Sequence, residues 1–219
     1  MDHAIVGCDF AAHHPEVAAR IRAYLEGRGD LGLIACCRKD LPPLRAGDTV
    51  TIGCTLCDLM LAERAPQAER RRIYRLLLED EGFSWPDHTG LDACLQDCWR
   101  ERHNARMHED VRACLRRMGV SWRELEESRE RTRFCGTWLN NPAPPDCVEL
   151  APLTFERLER SRRLLPAAEQ RARMALWCSQ YATDAVVVYC NGCERGVAAG
   201  GKRPIQLLEL LFPSPGHAS

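Results

Sequence analysis

Thr49-Val50-Thr51-Ile52-Gly53-Cys54-Thr55-Leu56-Cys57 decides the fold. A run of β-formers stops at a glycine and hands the chain to two cysteines spaced C-x-x-C. Two earlier stretches have the same form: Ala4-Ile5-Val6-Gly7 leads into Cys8, and Leu31-Gly32-Leu33-Ile34-Ala35 leads into the adjacent pair Cys36-Cys37. Short apolar runs bounded by Gly and Pro predict buried parallel strands. In open α/β sheets the ends of such strands point into one crevice, where ligands bind. Cys8, Cys36, Cys37, Cys54 and Cys57 therefore read as ligands of one metal cluster.

The pattern recurs. Asp92 to Asp97 predicts a strand ending at Cys98, Phe134-Cys135-Gly136 stands where the cysteine pair falls, and Asp184-Ala185-Val186-Val187-Val188-Tyr189 runs into Cys190-Asn191-Gly192-Cys193. The chain reads as two copies of one unit. The first lobe covers 1–82 with a complete five-cysteine site, and the second covers 90–213 with a degenerate one. Gly82-Phe83-Ser84-Trp85-Pro86-Asp87 connects them. The expected fold is α/β: two pseudo-repeated lobes of short parallel strands flanked by helices, with cysteines at the strand C-terminal ends.

Helices fill the intervals. Pro15 suits the first position of a helix that buries Val17, Ala18, Ile21 and Leu25 and ends at Gly27. Pro66 starts another, with Ile73, Leu76 and Leu77 inward and its end at Gly82. On this reading Arg70-Arg71-Arg72, near Glu69 and Glu79-Asp80-Glu81, is a solvated helix face. In the second lobe Met107, Val111, Leu115 and Met118 line a helix that stops at Gly119, a left-handed cap. Asn140-Asn141-Pro142-Ala143-Pro144-Pro145 is a loop bordering the Cys135 site. Helical stretches over 154–165 and 166–181 follow it. The segment Pro204 to Leu211 closes the chain as a helix. Its apolar residues, with Phe212, cover a sheet edge or pack on a second subunit.

Not every cysteine is a ligand. Cys114 shares a helical face with Val111 and Met118 and reads as a small buried hydrophobe, as does Cys178 beside Trp177. Cys94 lies too far from Cys98 along an extended strand for both to reach one cluster easily. Cys147, after the Pro-rich loop, is a candidate to replace the thiolate lost at position 134. His13-His14 beyond Cys8, and His103 and His108 beyond Cys98, are polar turn residues or proton donors at a cluster rim. Asp9 and Asp97 flank cluster cysteines, where an acid also caps turns.

Composition bounds the function. A chain of 219 residues buries about 70% of its extended surface, so no cofactor is needed merely to make a core. A formal charge of −1 argues against a nucleic-acid partner, and no window approaches the length of a membrane span. Met1-Asp2-His3 leads straight into a strand without a basic and apolar leader, which predicts a cytoplasmic protein. In a reducing cytosol, 13 cysteines point to metal or redox work. No nicotinamide, flavin or P-loop fingerprint is present, so electrons come from another chain.

A lone Cys, then Cys-Cys, then Cys-x-x-Cys, duplicated in one chain, resembles the cysteine-rich (CCG) domain of the disulfide-cleaving subunit of heterodisulfide reductase. The same domain occurs in iron–sulfur subunits of lactate and glycolate oxidation systems. The resemblance spans Ile5 to Leu211 and includes the closing Pro204-Ile205-Gln206-Leu207-Leu208-Glu209-Leu210-Leu211. It implies a noncubane 4Fe-4S cluster on each complete five-cysteine set, paired clusters that cleave a disulfide, and an electron-donating flavoprotein or ferredoxin-like iron–sulfur subunit as partner.

This chain departs from the pattern in three places. Arg38 follows the first cysteine pair where the family has Gly, and the interval from Cys37 to Cys54 is shorter than usual. Phe134 replaces one cysteine of the second pair, leaving Cys98, Cys135, Cys190 and Cys193. Four thiolates suit a cubane 4Fe-4S cluster or zinc better than a five-ligand cluster, or the site is empty. Three functions stay open: an iron–sulfur disulfide or thiol oxidoreductase, a non-catalytic electron-transfer subunit of a hydroxy-acid oxidation complex, and a structural zinc or iron–sulfur protein.

Overall fold

The computed structural model describes residues 1–29 and 31–214. The chain divides into two compact units. One comprises Met1–Glu81 with Ala143–Ser161, and the other comprises Gly82–Pro142 with the chain from Arg162 onward. The second lobe expected at 90–213 is thus interrupted, because 143–161 belongs to the first unit.

In the first unit the chain runs β1 (Asp2–Ile5), α1 (Cys8–His13), α2 (Pro15–Glu26), β2 (Leu31–Leu33), β3 (Thr49–Ile52), α3 (Thr55–Arg64), β4 (Glu69–Arg72) and α4 (Ile73–Glu79). The sheet order is β2-β1-β3-β4, all parallel. The second unit repeats it. β5 (Asp92–Leu95), α5 (Ala105–Arg117) and β6 (Ser121–Glu124) come first. After the excursion through α6 (Pro145–Leu150) and α7 (Pro152–Glu159), α8 (Ala167–Cys178), β7 (Ala185–Val188), α9 (Asn191–Ala199), β8 (Arg203–Gln206) and α10 (Leu207–Leu211) follow. Its sheet order is β6-β5-β7-β8, also parallel. This is the expected α/β fold: two four-stranded parallel sheets flanked by helices.

The central strands are apolar because both faces are covered, as parallel sheets require. Ile5, Val50 and Ile52 are buried in one unit, and Leu95 with Val186, Val187 and Val188 in the other. α2 begins at Pro15 and turns Val17, Ala18, Ile21 and Leu25 inward, and α5 buries Met107, Val111, Cys114 and Leu115, as their spacing predicts. Gly119 follows with φ +70°. In both sheets the order reverses between the first and third strands, the switch point where doubly wound folds bind ligands.

Three expectations are corrected. Arg70-Arg71-Arg72 is not a helix face: it lies in β4, paired with Val50-Thr51-Ile52, and α4 starts only at Ile73 rather than at Pro66. The stretch from Pro204 is not helical throughout. Arg203–Gln206 forms β8, and a capping box through Gln206 and Glu209 starts the five-residue α10. Finally, β6 is a strand where no strand was expected, its Ser-Trp-Arg-Glu sequence carrying no apolar run.

Candidate metal centres

Each unit sets its cysteines at strand ends near the switch point, and among the described residues Cys98, Cys190 and Cys193 are the set whose sulfurs all lie within 4.8 Å of one another. In the first unit Cys8 begins α1 directly after β1, and Cys54 caps α3 directly after β3. Cys36 and Cys37 follow β2. Cys36 Sγ lies 3.6 Å from Cys8 Sγ, while Cys37 and Cys54 stand close enough to Cys57 to push its buried thiol up. The five thiols thus form two touching sets, one of two and one of three. Gly7 joins them. Its φ is +111°, and a Cβ there would lie 2.5 Å from Cys54 Cβ and 3.3 Å from Cys54 Sγ, so only glycine lets the chain at Cys8 approach the chain at Cys54.

The first centre faces outward. Cys36, Cys37 and Cys57 are buried, but Cys8 and Cys54 are half-exposed, and a cleft of about 120 Å³ lined by Val6, Gly7, Leu33, Ile34 and Ala35 adjoins the Cys8 end. Arg64 and Arg72 donate to the backbone carbonyls of Cys37 and Cys54, and Arg38 reaches a sulfur. Arg38 Nη2 lies 3.7 Å from Cys8 Sγ, and Nη1 donates to Asp146 at 2.7 Å. Burial pushes the Cys8 thiol up. Burial acts on Cys36 too, but backbone N–H groups of Arg38 and Lys39, the Cys8 thiol and the Arg38 side chain outweigh it and hold Cys36 below the ordinary thiol range.

The second centre is closed. Cys98, Cys190 and Cys193 are buried, and their Sγ atoms all lie within 4.8 Å of one another. Cys135, also buried, stands close enough to feel the charges of Cys190 and Arg100, and burial pushes its thiol up to about 11. Hydrogen bonds from Cys193 and Cys98, then the Arg100 charge, hold Cys190 well below the ordinary thiol range against its burial. Three thiolates on one tetrahedral ion at a metal–sulfur distance near 2.3 Å stand roughly 3.8 Å apart, so this set closes around a metal with small side-chain shifts. Gly136, with φ +52°, permits the packing: a Cβ there would overlap the Gly192 carbonyl. That is the physical demand met by glycine in the Phe-Cys-Gly motif. Phe134 is buried and packs against Trp177 at 5.5 Å between ring centroids.

A polar network behind the second centre was not legible as such. Asp97 is fully buried and accepts from Arg112 Nη1 and Nη2 at 3.1 and 2.7 Å, from the Arg129 N–H at 2.7 Å, and from Tyr189 Oη at 3.0 Å. Tyr189 Oη in turn accepts from the Cys98 N–H at 2.9 Å. Burial alone would raise the Asp97 carboxyl, but the Arg112 guanidinium outweighs it and holds the group below the usual carboxylate range. Asp97 is therefore an anchor for Cys98 rather than a turn cap.

Cys147 does not replace the thiolate missing at position 134. It lies on α6 in the first unit, fully buried, where Arg38 and Cys37 act on it. Cys114 and Cys178 are core residues as expected; Cys178 packs under Gly200, where a Cβ would overlap its sulfur. Cys94 is buried within β5. His13 is exposed and bonds the Asp9 carbonyl, His14 stacks on Phe10, and His103 is exposed, whereas His108 is buried in α5. No described helix is long and apolar enough to cross a membrane. No protein-family model matches the chain, and no curated protein or solved structure matches it either.

Proposed function

We propose that the chain is an iron–sulfur disulfide or thiol oxidoreductase, in which the first unit carries the working centre and the second a closed companion. One observation carries this reading: the same strand ends present cysteines in both units, yet Cys8 and Cys54 are half-exposed while Cys98, Cys135, Cys190 and Cys193 are all buried. An open centre admits a sulfur substrate. A sealed one exchanges only electrons or supports the fold. A reducing cytoplasm, where thiols stay free to bind metal, suits such a protein.

A 4Fe-4S cluster, noncubane in the first unit, would supply an open iron for substrate sulfur and one-electron redox. The chain's own residues divide the remaining work. Cys8, Cys36, Cys37, Cys54 and Cys57 hold the group. Arg38, fixed by Asp146, balances thiolate charge at Cys8 and Cys36. In the second unit a cubane cluster is one occupant, and zinc is a second reading favoured by the close spacing of Cys98, Cys190 and Cys193.

The activity test is disulfide reduction by the anaerobically purified protein with a reduced flavoprotein or ferredoxin-type donor supplied. Turnover is expected to vanish in Cys36→Ser and to persist in Cys114→Ser. Electron transfer to an acceptor with no disulfide turnover would favour the relay subunit of a hydroxy-acid oxidation complex instead. Strong turnover by the lone chain with a nicotinamide cofactor would overturn the dependence on a partner.

A further inference from the structure

Arg100 enters the second centre from the turn that follows Cys98. Its Nη2 donates to Cys190 Sγ at 2.8 Å, and its guanidinium lies over the Trp138 ring, 4.9 Å from the centroid. Gly192 lines the same space, where a Cβ would stand in ordinary contact with Nη2 at 3.5 Å and with Trp138 Cβ at 3.4 Å. The residue as a whole is half-buried, but Nε and Nη1 are sealed from solvent and have no hydrogen-bond partner among the described residues. The opposite charges that reach this guanidinium are those of Cys190, Cys98, Cys135 and Cys193.

The first centre shows what is missing. Arg38 gives one nitrogen to Asp146 and is already neutralised, whereas no carboxylate among the described residues does this for Arg100. An arginine does not shed its proton inside a protein, and a buried charge with unpaired donors is strongly destabilising. The Cys190 sulfur accepts from Nη2 alone and leaves Nε and Nη1 without an acceptor. Four thiolates around one divalent ion leave a net dianion whose sulfurs accept hydrogen bonds, and so compensate both the charge and the donors.

We propose that Arg100 is the charge-compensating residue of the second centre, holding an anionic metal–thiolate group at Cys98, Cys135, Cys190 and Cys193 through hydrogen bonds to sulfur. The inference rests on reading those cysteines as a metal centre. It adds the sign of the charge that the centre carries and the residue that selects for it. Emptied of metal, the second unit gives Arg100 only the Cys190 sulfur as a hydrogen-bond acceptor; loaded, it gives a dianionic group whose several sulfurs can accept.

The test is cobalt(II) titration of the full-length, chelator-stripped chain, followed by thiolate-to-cobalt absorption, with chemical unfolding of each protein before and after loading. Cys190→Ser marks the part of the signal that belongs to the second centre. Arg100→Met is expected to lower cobalt affinity there roughly 10- to 100-fold, the usual range for residues that support ligands, and Arg100→Lys to recover part of the loss. Arg100→Met should also lose more stability in the cobalt-loaded form than in the stripped form. A packing role would lower both forms by the same amount, and that result, or unchanged cobalt affinity, overturns the inference. If Arg100→Met does not fold even with cobalt, Arg100→Gln carries the same comparison with the same outcomes. A wild-type protein with no Cys190-dependent cobalt signal instead overturns the metal-centre reading beneath the inference.

Discussion

The two units build the same sheet and differ at the residues just before the cysteines that end their two central strands. Aligned on the cysteines, Gly7 and Gly53 of the first unit correspond to Asp97 and Tyr189 of the second. The glycines bring backbones into contact: a Cβ on Gly53 would stand 2.9 Å from the Val6 carbonyl oxygen. Asp97 and Tyr189 are instead large, buried and hydrogen-bonded to each other. The strand register follows. Ile5 pairs with Ile52, three residues before Cys8 and two before Cys54, whereas Leu95 pairs with Val187, three before each of Cys98 and Cys190. A one-residue step is about 3.3 Å along a strand, so the second unit offsets its cysteines differently and fills the space behind Cys98 with a polar network. The same topology thus makes one centre open and backbone-tight, and the other sealed and braced by charge.

The largest expected effect comes from breaking the brace. Asp97→Ala leaves Arg112 buried with the partly exposed Glu124 carboxylate and the His108 carbonyl as its remaining partners, and chemical unfolding should show a loss of about 3–5 kcal/mol. The pH dependence has a defined sign. Because the folded carboxyl is held below its ordinary value, its contribution is complete above about pH 4 and is lost as pH falls through the lower folded value. Wild type and Asp97→Ala should therefore converge in stability in acid.

Next in size is the exchange of backbone freedom. Gly7→Ala combines a left-handed backbone with a collision against Cys54, and should cost about 2–4 kcal/mol. It should deplete metal from the first centre while leaving the Cys190-dependent centre loaded. Equal depletion of both would mean that the glycine pair supports the whole fold rather than the open centre.

These contrasts explain what could be read from sequence. The central strands β1, β3, β5 and β7 were legible because both faces are buried, so Ile, Val and Leu run continuously into the cysteines. β4, β6 and β8 lie at sheet edges, where charge and proline suit solvent and deter further pairing. Arg70-Arg71-Arg72 and Arg203-Pro204 accordingly hid two strands, and Ser-Trp-Arg-Glu hid the third. The spacing pointed to Cys98, Cys190 and Cys193, which the structure places within 4.8 Å of one another. Cys147 was misplaced because following the order of the repeats assigns it to the second unit, while the chain returns to the first at Ala143. Arg100 carried no local signal beyond its place two residues after Cys98. Its meaning comes from its contact with Cys190 and its buried nitrogens, which only coordinates reveal.

Smaller effects sharpen the comparison. Cys114→Ala should cost about 1–2 kcal/mol as a small core truncation and leave metal content unchanged, since Cys114 is packed within α5. Arg38→Gly, which installs the residue found at the matching position Gly136, removes a partly exposed ion pair with Asp146 and should shift stability by no more than about 1 kcal/mol. Its readout is the reactivity of Cys8 toward a thiol reagent, compared with wild type in the metal-free protein.

The central claim is that the first five cysteines form an open iron–sulfur centre independent of the second. Iron and acid-labile sulfide, measured per chain with electron paramagnetic resonance after anaerobic purification, test it most directly in wild type, Cys36→Ser, Cys37→Ser and Cys190→Ser. The account predicts that either change at the first pair removes the first-centre signal and its sulfide, while Cys190→Ser keeps both. Wild-type iron, sulfide and spectrum in both Cys36→Ser and Cys37→Ser would contradict it.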